Sequence, residues 1–109
     1  MEIKNNTVVI TGGAQGLGFA MAKKFARLGA NIALIDMAQD LLNTACEQLS
    51  QLEGVNSTIK GYVANVTNEA EIENVFNTIN SDFGSIGVLI NNAGILRDGM
   101  FIKDALFGS

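Results

Sequence analysis

The chain has 109 residues, 48% apolar and 17% charged, with a net charge of −4 and a pI near 4.5. That length allows one small domain with a core of its own, and the acidic balance argues against nucleic-acid or anionic-membrane binding, which require basic patches. One cysteine, Cys46, and no histidine exclude an intrachain disulfide and leave no ordinary transition-metal site.

The first element is a β-branched run, Thr7–Thr11, which reads as a buried strand. It runs directly into "TGGAQGLG", Thr11–Gly18, in which four of eight residues are glycine. Leu17, Met21, Phe25 and Leu28 then mark one face of a helix closed by Gly29. Lys23, Lys24 and Arg27, the main basic cluster, fall in its last turns, where cations complement the helix dipole. "NIALID", Asn31–Asp36, is a second strand. Leu41, Leu42, Ala45, Leu49 and Leu52 line a second helix that ends near Gly54, with Cys46 a small core residue among them. Ser57–Val63 is a third strand. Asn68 is placed to cap a third helix, with Glu69 and Glu71 in its first turn and a stripe of Ile72, Val75, Phe76, Ile79 and Phe83 ended by Gly84. "VLIN", Val88–Asn91, is a fourth strand, and the following "AGILRDGMFIKDALFGS" has no clear period.

This β-α-β-α-β-α-β order with short connections predicts an α/β fold: a doubly wound parallel sheet of Rossmann type, truncated after its fourth strand. Residues 1–94 form the expected nucleotide-binding half-domain and 95–109 an irregular tail that begins a substrate-binding half. In the strand order 3-2-1-4-5-6 the fourth strand is interior; here it becomes an open apolar edge, so a homo-oligomer is expected. No apolar run reaches the roughly 18 residues of a membrane span, and "MEIKNN" does not read as a signal peptide. A cytoplasmic protein, with neither nucleic acid nor membrane as partner, is the expectation.

A strand, a glycine-rich turn and a helix start together make an anion site, because the helix start offers unpaired N–H groups and a positive dipole end. Gly12 permits the tight turn, Gly16 lets a pyrophosphate approach the backbone, and Gly18 lets the helix pack close to the strand. The spacing is G-x-x-x-G-x-G, neither G-x-G-x-x-G nor a phosphate-binding loop ending in Gly-Lys-Ser/Thr. A turn without a ligand is the plain alternative. Asp36 ends the second strand eighteen residues after Gly18, close to the spacing of about 20 expected for an acid that holds the adenosine ribose. A carboxylate there repels a 2′-phosphate, and Gln15 offers that phosphate no cation, which favours NAD over NADP. Asp36 could equally serve only to cap the following helix.

"TGGAQGLG", Asp36, "NVT" at Asn65–Thr67 and "NNAG" at Asn91–Gly94, in that order at strand ends, resemble the short-chain dehydrogenases/reductases over residues from about 5 to 100. "NNAGILRDGMF" looks most like the 3-oxoacyl-(acyl-carrier-protein) reductase branch. The resemblance implies that Gly12, Gln15, Gly16, Leu17 and Gly18 wrap the pyrophosphate of NAD, and that Asp36 and Met37 hold the adenosine ribose. It implies that Asn65 and Val66 flank the adenine, with the Asn65 amide oxygen meeting the adenine amino group where the family commonly has Asp. Asn91, Ala93 and Gly94 would stabilise the sheet and pass near the cofactor.

The implied chemistry is hydride transfer between nicotinamide and a small-molecule carbonyl or secondary alcohol, a 3-oxoacyl thioester among them. The family moves its proton with a Tyr and a Lys four residues later. Tyr62 is the single tyrosine and position 66 is Val, so no catalytic residue is assigned and Tyr62 is read as a core or edge residue. The expected enzyme is therefore represented by its cofactor-binding half; the alternative is a dinucleotide-binding module that turns nothing over.

Overall fold

The structure of the chain, a computed structural model, describes residues 3–93. Seven elements follow in order: β1 Thr7–Thr11, α1 Gly16–Arg27, β2 Asn31–Asp36, α2 Gln39–Ser50, β3 Ile59–Val63, α3 Glu69–Phe83 and β4 Val88–Asn91. The four strands form one parallel sheet in the order β3-β2-β1-β4, which is the first four positions of the doubly wound order 3-2-1-4-5-6. Val8 sits opposite Ile32 on one side and Val88 on the other, and Asp36 at the tip of β2 is opposite Val63.

Strand side chains alternate between two faces, and the core divides accordingly. Val8, Ile10, Ile32 and Leu34 pack under α1 and α2, against Ala22, Ala26, Leu42, Ala45 and Leu49. Val9, Ala33 and Ile35 pack under α3, against Ile72, Phe76 and Ile79. Two helices thus cover one face and one covers the other. β1 is buried along its whole length, whereas β4 is half-buried and pairs with β1 alone among the described residues.

The helix ends follow their local chemistry. Gly29 takes the left-handed conformation, φ +91°, just past the end of α1. The Asn68 side chain caps α3 by accepting from the Glu71 N–H at 3.1 Å. β3 begins two residues later than the Ser57–Val63 pattern predicts: Thr58 N–H donates to the Asn31 side chain, and the regular strand starts at Ile59.

The buried face of α1 also differs from the predicted stripe. Leu17 and Leu28 are 68% and 50% exposed, Met21 and Phe25 are half-buried, and the fully packed residues are Gly18, Ala22 and Ala26. Small residues four apart let the helix axis come close to the sheet, and that approach turns the larger side chains to the flanks. The tail at 95–109 and Gly94 lie outside the described residues.

Candidate functional site

The carboxyl ends of β1, β2, β3 and β4 bring the residues singled out in the sequence to one edge of the sheet. β1 delivers the chain into the glycine turn. Gly12 and Gly13 both donate to the Ile35 carbonyl, at 2.8 and 3.3 Å, so the turn stays laced to β2 as it leaves the ladder. Gly12 adopts φ +63°, the left-handed region in which a side chain is strained. Gln15 is extended and forms the N-cap of α1, but its side chain makes no capping bond. The N–H groups of Gly16, Leu17 and Gly18 have no acceptor among the described residues, and the first turn carries no acidic side chain. The positive end of α1 is thus open to an anion.

Gly16 and Gly18 are glycine for different reasons. Gly16 has φ +61°, and a Cβ there would meet nothing within 4 Å; the space above it is free, as a pyrophosphate cradle requires. Gly18 is buried, and a Cβ on it would overlap the Gly12 carbonyl oxygen and lie 2.8 Å from Asn92 Nδ2. It sets the close fit of α1 against the turn.

Asp36 stands beside this cradle at the tip of β2. Its Oδ2 accepts from Ala14 N–H at 3.1 Å, and its Oδ1 accepts from Met37 N–H at 2.8 Å and Ala38 N–H at 3.4 Å. It is not the cap of the following helix, whose N-cap is Ala38 with no side-chain capping bond; it ties the glycine turn to the β2–α2 connection. A carboxylate offers about four acceptor directions; three are engaged here, leaving capacity for a ligand hydroxyl. Met37 is 65% exposed next to it and presents an apolar surface.

One strand further out, Ala64 N–H donates to the Asp36 carbonyl at 3.0 Å, which places Asn65 at the same edge. Asn65 Oδ1 accepts from Thr67 N–H at 2.9 Å and Thr67 Oγ1 at 2.7 Å. The oxygen expected to face an adenine amino group thus has both lone-pair directions taken. Val66 is half-buried and packs on the α3 side of the core.

On the other flank, Thr11 Oγ1 donates to Asn91 Oδ1 at 3.0 Å and accepts from Ala93 N–H at 3.1 Å, while Asn92 Nδ2 donates to the Gly12 carbonyl at 3.1 Å. These bonds clamp the "NNA" segment to the β1 tip and the glycine turn. Thr11, Ala14 and Asn92 are site-building residues that the sequence pattern did not single out. The available signal for Thr11 was a threonine closing a buried strand whose interior, residues 8–10, is aliphatic.

Tyr62 lies apart from this edge chemistry. Its hydroxyl donates to Asp82 Oδ2 at 2.7 Å, and Lys60 approaches the same carboxylate at 3.9 Å. Burial, then the bond and charge of Asp82, then the charge of Cys46 push the phenol above its ordinary range. A proton-transfer group works best with a pKa near the operating pH, so Tyr62 is unsuited to that role. Burial also pushes the Cys46 thiol up, away from a reactive thiolate. Among the described residues no cluster could hold a metal ion, and no helix is long and apolar enough to cross a membrane.

A parallel sheet with an open helix start after β1 and an acid at the tip of β2 is the arrangement of Rossmann-type α/β folds. The short chain dehydrogenase family model matches residues 6–106, and the chain belongs to that family. It is 35% identical to a 3alpha-hydroxysteroid dehydrogenase of Mediterraneibacter gnavus, over 93% of this chain and 40% of that protein. It is 33% identical to a 3-oxoacyl-(acyl-carrier-protein) reductase of Thermotoga maritima, over 94% of this chain and 41% of that one.

Among solved structures, NAD+-bound xylitol dehydrogenase matches with a TM-score of 0.79 and 30% identity, covering 87% of this chain and 35% of its own. L-sorbose reductase of Gluconobacter frateurii, complexed with NADPH and L-sorbose, matches with a TM-score of 0.78 and 31% identity, covering 87% of this chain and 36% of its own. The chain thus spans about two fifths of the length of the relatives it matches. The family is one of oxidoreductases that bind a nicotinamide dinucleotide, and the structural neighbours include both an NAD+ and an NADPH complex.

Proposed function

We propose that this chain is the NAD-holding part of a cytoplasmic short-chain oxidoreductase that interconverts a small carbonyl compound and its alcohol, 3-oxoacyl thioesters included. Residues 1–94 hold the dinucleotide, and 95–109 begin the substrate-binding part. The observation that carries the reading is the Asp36 carboxylate, fixed by Ala14 N–H against the glycine turn.

Gly12, Gln15, Gly16, Leu17 and Gly18 would receive the pyrophosphate at the open start of α1. Asp36 and Met37 would take the adenosine ribose, with Asn65 and Val66 beside the base. Asn91, Ala93 and Gly94 would stabilise the sheet and pass near the cofactor, the first two positioned by Thr11. When bound, the nicotinamide supplies or accepts the hydride. Asp36 selects NAD because its negative charge repels a 2′-phosphate, and exposed Gln15 supplies no compensating cation.

Titration with NADH and NADPH, read by the fluorescence of the reduced nicotinamide, tests the choice. NADH is expected to bind about tenfold or more tightly, the effect of about 1.4 kcal/mol. The double variant Asp36→Asn, Gln15→Arg keeps a side-chain acceptor for Ala14 N–H and should bring the two affinities together. A ratio that does not move removes Asp36 from the ribose site.

Binding without turnover is the second reading. The placement of Tyr62 against Asp82 favours it, since the chain's single tyrosine is engaged away from the cradle. An NADH-linked assay of the 109-residue chain against alcohols and 3-oxoacyl thioesters decides; turnover by the purified chain ends that reading. The half-buried β4, with a partner strand on one side among the described residues, supports assembly of copies through that edge. Sedimentation at several concentrations should show association, and a monomer throughout refutes it.

A further inference from the structure

The opposite edge of the sheet, where the strands begin, holds a cavity of about 520 Å³, within the range of about 300–1,000 Å³ usual for small-molecule sites. It lies between the approach to β1, the turn after α1 and the connection from α2 to β3, and Lys4, Arg27, Asn31 and Thr58 line it. β2 runs from Asn31 at this cavity to Asp36 beside the glycine turn, a span of about 17 Å. The cavity is therefore separate from the dinucleotide edge, and its reading does not rest on the function proposed above.

The walls are held by specific contacts. Asn5 adopts the left-handed backbone, φ +67°, and its N–H donates to the Gly29 carbonyl at 3.0 Å. The stem of Lys4 lies against Gly29, where an added Cβ would come 3.0 Å from Lys4 Cγ. Asn31 Oδ1 accepts from Thr58 N–H at 2.9 Å and ties β2 to the start of β3. That bond fixes the amide, so Asn31 offers the cavity the donors on its Nδ2. Ser57, also in the wall, has a hydroxyl shielded from solvent and without a partner among the described residues.

The charges are one-sided. Among the described residues no carboxylate lines the cavity, and Lys4 and Arg27 make no ion pair. In a chain of net charge −4 this is a local reversal of sign. The nearby ends of α1 and α2 would oppose an anion through open carbonyls, but returning backbone closes them. Leu28, Gly29 and Ala30 N–H donate to the Lys24, Ala26 and Phe25 carbonyls, and Gln51 and Leu52 N–H donate to those of Glu47 and Leu49.

We propose that this cavity is a second binding site, for a small phosphate ester with a hydroxylated body. Arg27 and Lys4 hold the phosphate, the guanidinium through paired N–H groups suited to two oxygens. Asn31 Nδ2 adds a donor, and so does the Ser57 hydroxyl after rotation about its Cα–Cβ bond. The volume beyond one phosphate takes the hydroxylated part, served by the side chains of Asn56 and Thr58.

Nuclear magnetic resonance titration of the isotope-labelled 109-residue chain tests this with glycerol 3-phosphate, inorganic phosphate and glycerol at fixed ionic strength. The glycine turn is itself open to anions, so the amides of Gly29, Gly54 and Thr58 report the cavity and those of Gly12 and Gly16 report the turn. The cavity amides should shift saturably with glycerol 3-phosphate, about threefold more weakly with inorganic phosphate, and not with glycerol. Lys4→Gln with Arg27→Gln, both at exposed positions, should weaken the cavity response about tenfold and leave that of the turn unchanged. Lys24→Gln, an exposed cation of α1 outside the cavity, should bind as the wild type does. Cavity amides that stay still while Gly16 moves overturn the site, as does a cavity response that survives the double variant. Equal weakening by Lys24→Gln reduces it to general attraction by α1 and overturns it too. Inorganic phosphate bound as tightly as glycerol 3-phosphate refutes the hydroxylated body.

Discussion

Replacing Gly18 by alanine tests whether the cradle depends on close contact between α1 and the glycine turn. The added Cβ would overlap the Gly12 carbonyl oxygen, and would lie 2.8 Å from Asn92 Nδ2 and 3.0 Å from the Gly12 carbonyl carbon. None of these atoms can yield freely. Gly12 is fixed by its N–H bond to Ile35, and Asn92 is fixed by its own bond to the Gly12 carbonyl. Relief requires α1 to move outward, which loosens Ala22 and Ala26 against the sheet. Overpacking of this kind costs about 1–3 kcal/mol, and loss of the Asn92 bond about 1 kcal/mol more. The better helix propensity of alanine returns up to about 1 kcal/mol. A net loss of about 2 kcal/mol lowers the melting temperature of a domain this size by about 10 °C. Gly16→Ala is the control, because its cost is conformational: about 1–2 kcal/mol for the left-handed backbone, with no steric contact. Asparagine tolerates that backbone, so Gly16→Asn should recover part of the loss, whereas Gly18→Asn should be worse than Gly18→Ala. Thermal unfolding followed by circular dichroism measures all four variants. A Gly18→Ala chain that melts with the wild type, or asparagine acting alike at both positions, refutes the contact argument.

Thr11→Val keeps the shape of a fully buried residue but deletes the hydroxyl that serves Asn91 and Ala93. It should cost about 1–3 kcal/mol and speed hydrogen exchange at the Ala93 amide; unchanged protection there argues against the clamp. Tyr62 is the single tyrosine in a chain without tryptophan, so phenolate absorbance reports it alone. Its folded pKa is raised, so its contribution to stability is complete below the unfolded value of about 10 and is lost as pH rises from there through the folded value. The folded chain should therefore ionise later than unfolded chain does, and Asp82→Asn should bring the midpoint down. Coincident folded and unfolded titrations refute the Asp82 contact.

What the sequence discloses and what it hides follow from different kinds of interaction. β1 and β2 are legible because "TVVI" and "IALI" are buried on both faces, and a parallel sheet demands unbroken apolar runs there. The position of Asp36 is legible because the distance from glycine turn to strand tip is set by one helix and one strand. The packed face of α1 is not legible from apolar size, since close approach to a sheet selects Gly18, Ala22 and Ala26 and displaces Leu17 and Leu28 to the surface. The backbone donor that fixes Asp36, Ala14 N–H, has no signature at all, because every residue but proline carries one. Asn65 is the sharpest case. As a residue type it offers both an acceptor and donors, and reading it as a mild substitute for aspartate assumes that the acceptor is free. Thr67, two positions later, uses that acceptor twice. What such a side chain can offer a ligand depends on which of its atoms neighbouring backbone and side-chain donors already engage, and the identity of the side chain alone does not contain it.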